Sequence, residues 1–274
     1  MLWPEIKLYF TSAGWEFAEE FTTAPGHASV LAKNYTLSGY DLIVAVGGDG
    51  TLSEVINGVL NSTPCKVALI PAGTGNDFAR SLGIPLDWQN ACKLLVQMPV
   101  REIDVGQVNG RYFINVAGLG FDAEVAAEIN KSLKKVSGMK AYLIAVFKCL
   151  YNLKPIEIVI KTEQKTVVKS VLLMAVGNGK SYGGGFMITP QAKIDDGLLD
   201  ICLIEKTSML DLILNLPTVM AGRHLKHPKV RTFRACSVEV LSKSPVQIHT
   251  DGEITGTTPA LFSISPTRLS FIAR

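Results

Sequence analysis

The sequence predicts an α/β domain, a parallel sheet with flanking helices, followed by a β-rich, sandwich-like domain. Three observations carry this. Strand, glycine loop and helix occur twice in succession within residues 41–82, helical apolar spacing stops near Met98-Pro99, and hairpin-like apolar stretches dominate afterwards. The boundary is expected near residue 100, giving domains 1–100 and 101–274, with no internal repeat or low-complexity linker.

In the first half, residues 41–46 form a buried-strand run ended by Gly47-Gly48. Leu52, Val55, Ile56, Val59 and Leu60 then recur at helical spacing. Residues 66–70 form a second strand, closed by Pro71-Ala72-Gly73 and followed by a helix over 77–82. In the second half, 156–161 and 167–176 read as paired strands, and 238–241, 246–249 and 269–272 add further short ones. The segment 131–154 mixes Lys131, Lys134, Lys135, Lys140, Lys148 and Lys154 with Leu133, Tyr142, Leu143, Ile144, Val146, Phe147 and Leu150. Such a helix can lie on an anionic bilayer, but its apolar positions are too numerous for one narrow stripe, which favours a core-packing helix with a solvated lysine face.

A chain of 274 residues with 47% hydrophobic composition can fill a real core. A net charge of +3 without runs of like charge argues against nucleic acid as a partner. Cys65, Cys92, Cys149, Cys202 and Cys236 are odd in number and widely spaced, without zinc-knuckle or redox-motif pairing, and read as buried reduced thiols of a cytoplasmic protein. The N-terminus carries no targeting pattern. The longest uncharged run, 254–267, contains Pro259 and Pro266 and is shorter than the roughly 18 apolar residues of a membrane span. Any membrane contact is therefore expected to be peripheral.

The strongest chemical signal is Gly47-Gly48-Asp49-Gly50-Thr51 between a strand and a helix, with Thr51-x-x-Glu54 resembling a capping box. Glycines let the backbone approach a phosphate, and the helix N-terminus offers free N–H groups. Asp49 would repel a phosphate directly, so its use is to hold Mg²⁺ or orient a group on a nucleotide; the plainer alternative is a turn chosen for backbone geometry. Residues 71–77, Pro-Ala-Gly-Thr-Gly-Asn-Asp, repeat the design after the next strand, although Asn76 or Asp77 could serve only as a helix cap. Ligands of parallel sheets bind outside the carboxyl ends of the strands, so both loops should face one crevice, as a nucleotide site would require.

These two motifs together resemble the catalytic domain of the diacylglycerol kinase family, especially its small bacterial lipid kinases. The resemblance extends through Phe21-Thr22-Thr23 with Gly26-His27-Ala28, residues 103–106 (Ile-Asp-Val-Gly), 115–122 (Asn-Val-Ala-Gly-Leu-Gly-Phe-Asp), 193–200 (Lys-Ile-Asp-Asp-Gly-Leu-Leu-Asp) and Asp251-Gly252-Glu253. It implies an ATP-dependent kinase of diacylglycerol or a similar lipid alcohol. ATP would be bound by Thr22, Gly48, Asp49, Gly50, Thr51, Leu52, Ser53, Glu54 and Thr74, with Asp49 as the metal-linked acid. It further implies Glu253 as the base that accepts the proton of the lipid hydroxyl, and a structural Mg²⁺ on the Asp196 carboxylate and the carbonyls of Lys193 and Leu198. Asp104 and Asp122 are equally suited to bracing and to chemistry. The active site is expected in the cleft between the domains.

The family's opening strand, with its Asn-Pro-x-x-Gly-type loop, has no counterpart in Met1-Leu2-Trp3-Pro4, so the first domain is expected to lack that strand. Expected partners are ATP, a lipid alcohol and the membrane surface, with a homodimer left open. The alternatives are an NAD kinase-like enzyme, where an Asn-Glu element would replace Asn76-Asp77, and an inactive nucleotide- or lipid-binding module.

Overall fold

The structure, a computed structural model, describes residues 2–132, 138–150 and 154–274. It divides into two units, residues 1–103 with 267–274, and residues 104–266. Numbered along the chain, the first unit contains α1 (Trp3–Ser12), α2 (His27–Leu37), β1 (Leu42–Gly47), α3 (Asp49–Leu60), β2 (Lys66–Pro71), α4 (Asp77–Leu82), α5 (Trp88–Gln97), β3 (Val100–Ile103) and β15 (Leu269–Ile272).

The sheet order is β1-β2-β15-β3. β1 and β2 run parallel, Leu42 beside Lys66 through Gly47 beside Pro71, as the repeated strand–loop–helix pattern requires. The sheet is nevertheless mixed, because β15 lies parallel to β2 but antiparallel to β3. The chain leaves this unit after Ile103 and re-enters at Thr267, so its exit and return strands lie side by side in opposite directions. Residues 269–272, assigned from their pattern to the β-rich half, thus complete the first sheet. Ile6 and Phe10 of α1 and Ala91, Cys92 and Leu95 of α5 pack with Ala68, Ile70 and Ile272 of the strands. Leu52, Val55, Ile56 and Val59, the apolar positions read from the spacing, are all buried on α3.

The second unit contains β4 (Gly106–Val108), β5 (Arg111–Phe113), β6 (Val116–Gly120), α6 (Phe121–Ser132), α7 (Gly138–Leu150), β7 (Ile156–Lys161), β8 (Thr166–Gly177), β9 (Leu199–Glu205), α8 (Met209–Met220), a 3-10 turn (His224–Lys226), β10 (Val230–Ala235), β11 (Ser237–Ser242), β12 (Gln247–Thr250), β13 (Glu253–Thr257) and β14 (Ala260–Ile264). These strands form one 11-stranded sheet whose pairings are antiparallel. β8 organises it: its first half pairs β7, and its second half pairs β6 and β9.

Successive strand residues face opposite ways and build two cores. Met174, Val176, Leu199, Ile201 and Leu203 point into the all-strand core with Phe262. Leu173, Ala175, Cys202 and Ile204 face Phe121 and Val125 of α6 and Tyr142 and Val146 of α7. α7 is therefore the core-packing helix that the count of apolar residues favours, with Lys140 and Lys148 exposed; Leu133, Lys134 and Lys135 lie outside the described residues. Among the described residues no helix is long and apolar enough to cross a membrane.

All five cysteines are free thiols. Burial pushes Cys92 up to about 11 and Cys202 up to about 12, which keeps them protonated and inert. The expectation that every cysteine is buried fails at Cys236, which is exposed on the β10–β11 turn, and at half-buried Cys149.

Helices α2 and α3 meet at Gly58, where an added Cβ would stand 2.3 Å from the Ser29 carbonyl oxygen and 2.9 Å from the Ala32 Cβ. Backbone cannot yield there as a flexible side chain could. Gly58→Ala is expected to lower stability by about 1–3 kcal/mol, overpacking outweighing the better helix propensity of alanine. Denaturant unfolding of the two chains checks this, and an unchanged or raised midpoint would contradict the contact.

Candidate active site

The glycine loops leave the carboxyl ends of the neighbouring parallel strands β1 and β2, which places them side by side. They touch through their backbones. A Cβ on Gly73 would lie 2.4 Å from the Gly48 Cα, and one on Gly48 would lie 3.0 Å from the Gly73 Cα, so this crossing admits no side chain at position 73. The Ala72 N–H donates to the Gly47 carbonyl (2.9 Å), extending the strand ladder into the loops. Asn76, in the left-handed conformation at φ 52°, closes the second loop: its amide oxygen accepts from the Gly73 N–H (3.1 Å) and its amide nitrogen donates to the Gly73 carbonyl (2.9 Å).

Asp49 bridges the loops. Its carboxylate accepts from the N–H groups of Asp77 (3.1 Å) and Phe78 (3.0 Å), capping α4 from the first turn of α3. The expected capping box at Thr51 and Glu54 does not form, because α3 already begins at Asp49 with Gly48 as its N-cap. Glu54 instead accepts from the Gly26 N–H (2.8 Å) and the Ala28 N–H (3.0 Å), capping α2. Two motif acids thus serve the N-termini of neighbouring helices, where partial positive charge favours them.

The residues grouped by sequence now separate. Gly50 is exposed and faces open space, and Thr74 is exposed on the second loop. Leu52 and Ser53 are buried, so their side chains face the core. Thr22 and Thr51 line, with Ala72 and Val46, one part of a cleft of about 870 Å³. That cleft also follows Leu42, Ile43, Val44 and Ala45 of β1, the edge strand of this sheet.

In the second unit the Asp251-Gly252-Glu253 turn joins β12 to β13, with Asp251 and Gly252 in left-handed conformations (φ 49° and 88°). Asp251 organises the turn by accepting from the N–H groups of Ile114 (2.9 Å), Asn115 (2.9 Å) and Val116 (3.1 Å). The Asn130 side chain donates to the Gly252 carbonyl (3.0 Å). Glu253 projects beyond this frame, half-exposed, and pairs with the Arg111 guanidinium.

Beneath the turn is a buried cluster that the pattern alone did not assemble. The Gly252 N–H donates to His249 Nδ1 (3.3 Å), leaving the proton on Nε2, which faces the Asp122 carboxylate at 2.9 Å. His249 and Asp122 are both buried, and Tyr182 stacks on the imidazole while its hydroxyl accepts from Tyr142 (3.0 Å). Burial, then the charge of Asp122, pushes the Tyr182 hydroxyl well above its ordinary range. The one legible signal was His249 on an alternating strand close to the Asp-Gly-Glu turn; its partner is 127 residues away.

In the loop 193–198 Asp104 takes the bracing role, accepting from the Gly197 N–H (2.7 Å) while its own N–H donates to the Ile194 carbonyl (2.6 Å). Asp196 and Asp200 share one guanidinium, with Arg234 nitrogens 3.7 Å and 3.2 Å away. The Asp200 Oδ2 is buried without a hydrogen-bond partner, and burial raises that carboxyl above its ordinary range. Two carboxylates thus stand against one arginine, and one Asp196 oxygen also accepts from the Leu198 N–H (3.2 Å). Among the described residues no cluster of three acidic, histidine or cysteine side chains could hold a metal ion.

Because Asp49 supports α4, Asp49→Ala is expected to destabilise the chain by about 0.5–2 kcal/mol, lowering the melting temperature by a few degrees, with Asp49→Asn intermediate. Calorimetry on the three chains checks it. An Asp49→Ala protein as stable as the native chain would remove the structural role.

Comparison with known proteins places the chain in a family. The profile of the diacylglycerol kinase catalytic domain matches residues 1–108, and that of the YegS C-terminal NAD kinase beta sandwich-like domain matches residues 115–273. A protein of Bacillus subtilis named diacylglycerol kinase is 36% identical over 261 residues, covering 94% of this chain and 86% of its own. The crystal structure of a putative diacylglycerol kinase from Bacillus anthracis superposes with a TM-score of 0.79 at 28% identity, over 92% of this chain and 83% of that one. An Archaeoglobus fulgidus NAD kinase solved in complex with ATP shares the fold, at a TM-score of 0.54 and 14% identity over 99% of this chain and 89% of that one. With both domain profiles in sequence and more than a third of its residues identical to the Bacillus subtilis protein, this chain belongs to the diacylglycerol kinase family of lipid kinases.

Proposed function

We propose that this chain transfers the terminal phosphoryl group of ATP to the hydroxyl of diacylglycerol or a similar lipid alcohol. The observation that carries the reading is the crossing of the Gly48 and Gly73 backbones at the carboxyl ends of two parallel strands, which admits no side chain at position 73 and sets the second loop beside the N-terminus of α3, where phosphates would lie. Gly48, Gly50, Thr51 and Thr74 stand there, with Thr22 on the adjoining cleft. Leu52, Ser53 and Glu54 contribute backbone and support, since their side chains are committed to the core or to α2. Asp49 holds the two loops in register and presents its carboxylate beside them.

Glu253 is the base of this proposal. The Asp251 frame fixes the turn, Arg111 holds the carboxylate, and the carboxylate accepts the proton as the lipid oxygen bonds to phosphorus and ADP leaves. There is little covalent work for the protein in such a transfer, which rests on positioning and charge stabilisation. Magnesium accompanying the nucleotide would neutralise charge on the phosphates. Asn76-Asp77 stands where an NAD kinase-like site would have an Asn-Glu element, which favours the lipid kinase reading over the NAD kinase alternative that the shared fold also fits. Catalysis at a membrane surface, on a cytoplasmic face, follows from the substrate class.

Labelled ATP offered with diacylglycerol, ceramide, sphingosine, phosphatidylglycerol and NAD in mixed micelles is expected to mark diacylglycerol. Glu253→Gln should keep nucleotide binding and lose on the order of 10²-fold or more in turnover. Label in NAD alone would overturn the lipid reading, and label in none would favour a binding module.

The cation proposed on Asp196 is a brace rather than a reactant. The native chain is expected to melt several degrees higher with Mg²⁺ than with a chelator, and Asp196→Asn should merge the two curves. Coincident curves for the native chain would leave Arg234 as the loop's sole counter-charge.

A further inference from the structure

Helix α8 is built almost wholly of apolar residues, Met-Leu-Asp-Leu-Ile-Leu-Asn-Leu-Pro-Thr-Val-Met, yet none of its residues is buried. Its inward side accounts for half of that composition: Leu212, Leu216 and Val219 pack against the core that also holds α7. Its outward side has no such partner. Leu210 and Leu214 are 73% and 75% exposed, one helical turn apart, and exposed Pro217 continues the same stripe. Met209 and Met220 are also largely exposed, one at each end of the helix. Single exposed apolar residues are ordinary, but a continuous stripe along a helix needs an occupant.

The charges around the stripe identify that occupant. Lys206 precedes the helix and Arg223, Lys226 and Lys229 follow it; all four are exposed and none forms an ion pair among the described residues. The acids nearby are already engaged by other side chains. Asp211, the only acid on the helix, faces inward to Thr207, to Asn215 (3.1 Å) and to His227 (3.3 Å), and these hydrogen bonds, Thr207 foremost, hold its carboxyl below the ordinary range. Glu205 is bound by Lys169 (3.1 Å) and Arg231 (3.8 Å). A leucine stripe bordered at both ends by unpaired cations matches the layering of an anionic bilayer surface, where acyl chains lie beneath a sheet of negative headgroups. Nucleic acid would use the cations and leave the leucines in water.

We propose that α8 is a membrane-docking helix, which lays Leu210 and Leu214 into the headgroup–acyl boundary of an anionic bilayer while Lys206, Arg223, Lys226 and Lys229 engage the lipid phosphates. The proposal rests on the lipid-kinase reading for its purpose, since such an enzyme must meet its substrate in a bilayer, and on the geometry of α8 for its place.

The full chain is tested by co-sedimentation with phosphatidylcholine vesicles and with vesicles containing roughly a third phosphatidylglycerol, at low and high salt. Binding is expected to the anionic vesicles and to weaken with salt. The double variant L210Q/L214Q should melt with the native chain and partition about tenfold or more less strongly, the scale set by keeping two leucines out of an apolar phase. Lys226→Glu combined with Arg223→Glu should lower binding to anionic vesicles alone. A direct reading that survives any folding defect of the double variant is L214W, whose indole emission should shift to the blue with anionic vesicles. Equal partition of native and variant chains, an unshifted L214W spectrum, or a native dimer that L210Q/L214Q separates without changing vesicle binding would each overturn the proposal. Phosphorylation of a water-dissolved short-chain diacylglycerol by the native chain is scored separately: its failure would remove the kinase reading and leave the vesicle result standing.

Discussion

The first unit depends on one close contact, the crossing of the Gly48 and Gly73 backbones. The parallel pairing of β1 and β2 brings both loops to the same end of the sheet, and the missing Cβ atoms let them meet. Asp49 then turns the contact into a joint, because its carboxylate takes two N–H groups of the helix that follows the other loop. The N–H groups of Ala72, Gly73, Asp77 and Phe78 are all used in this joint, so the packing ties the two loops to each other and to α4.

The second unit repeats the device with different residues. Asp251 gathers three consecutive N–H groups at the start of β6, and Asp104 closes the 193–198 loop through Gly197. Glu54 does the same for α2 in the first unit. A carboxylate accepting backbone N–H groups makes stronger bonds than a neutral acceptor would, and it tolerates partial burial because its charge is spread over several donors. The motif acids of this chain serve first as ties between distant segments. Glu253 differs: among the described residues its ion pair is with a side chain, Arg111, and it remains half-exposed.

The acidic pair around Arg234 and the buried His249–Asp122 couple show opposite ways of handling internal charge. Asp196 and Asp200 share one guanidinium and leave an oxygen of Asp200 unsatisfied. His249 has a hydrogen-bonding role for each ring nitrogen, and the backbone of the Asp-Gly-Glu turn decides its tautomer. The first leaves a carboxylate oxygen without a partner. The second holds a turn in place.

The sequence by itself determined the elements and the loops. The strand runs read at 41–46 and 66–70 and found at 42–47 and 66–71, the buried face of α3 and the β-rich second half all follow from side-chain period and turn chemistry, which act over a few residues. Only the tertiary structure decided how those elements combine. Leu269–Ile272 enters the first sheet because the chain returns there, which no local pattern records. Glu54 caps a helix 26–28 residues away rather than its own, Arg111 finds Glu253 142 residues on, and the outer face of α8 stays open although its composition reads as core. The reason is the same in each case: hydrogen bonds and burial depend on which surfaces come together, and that is a property of the packed chain rather than of any window of it.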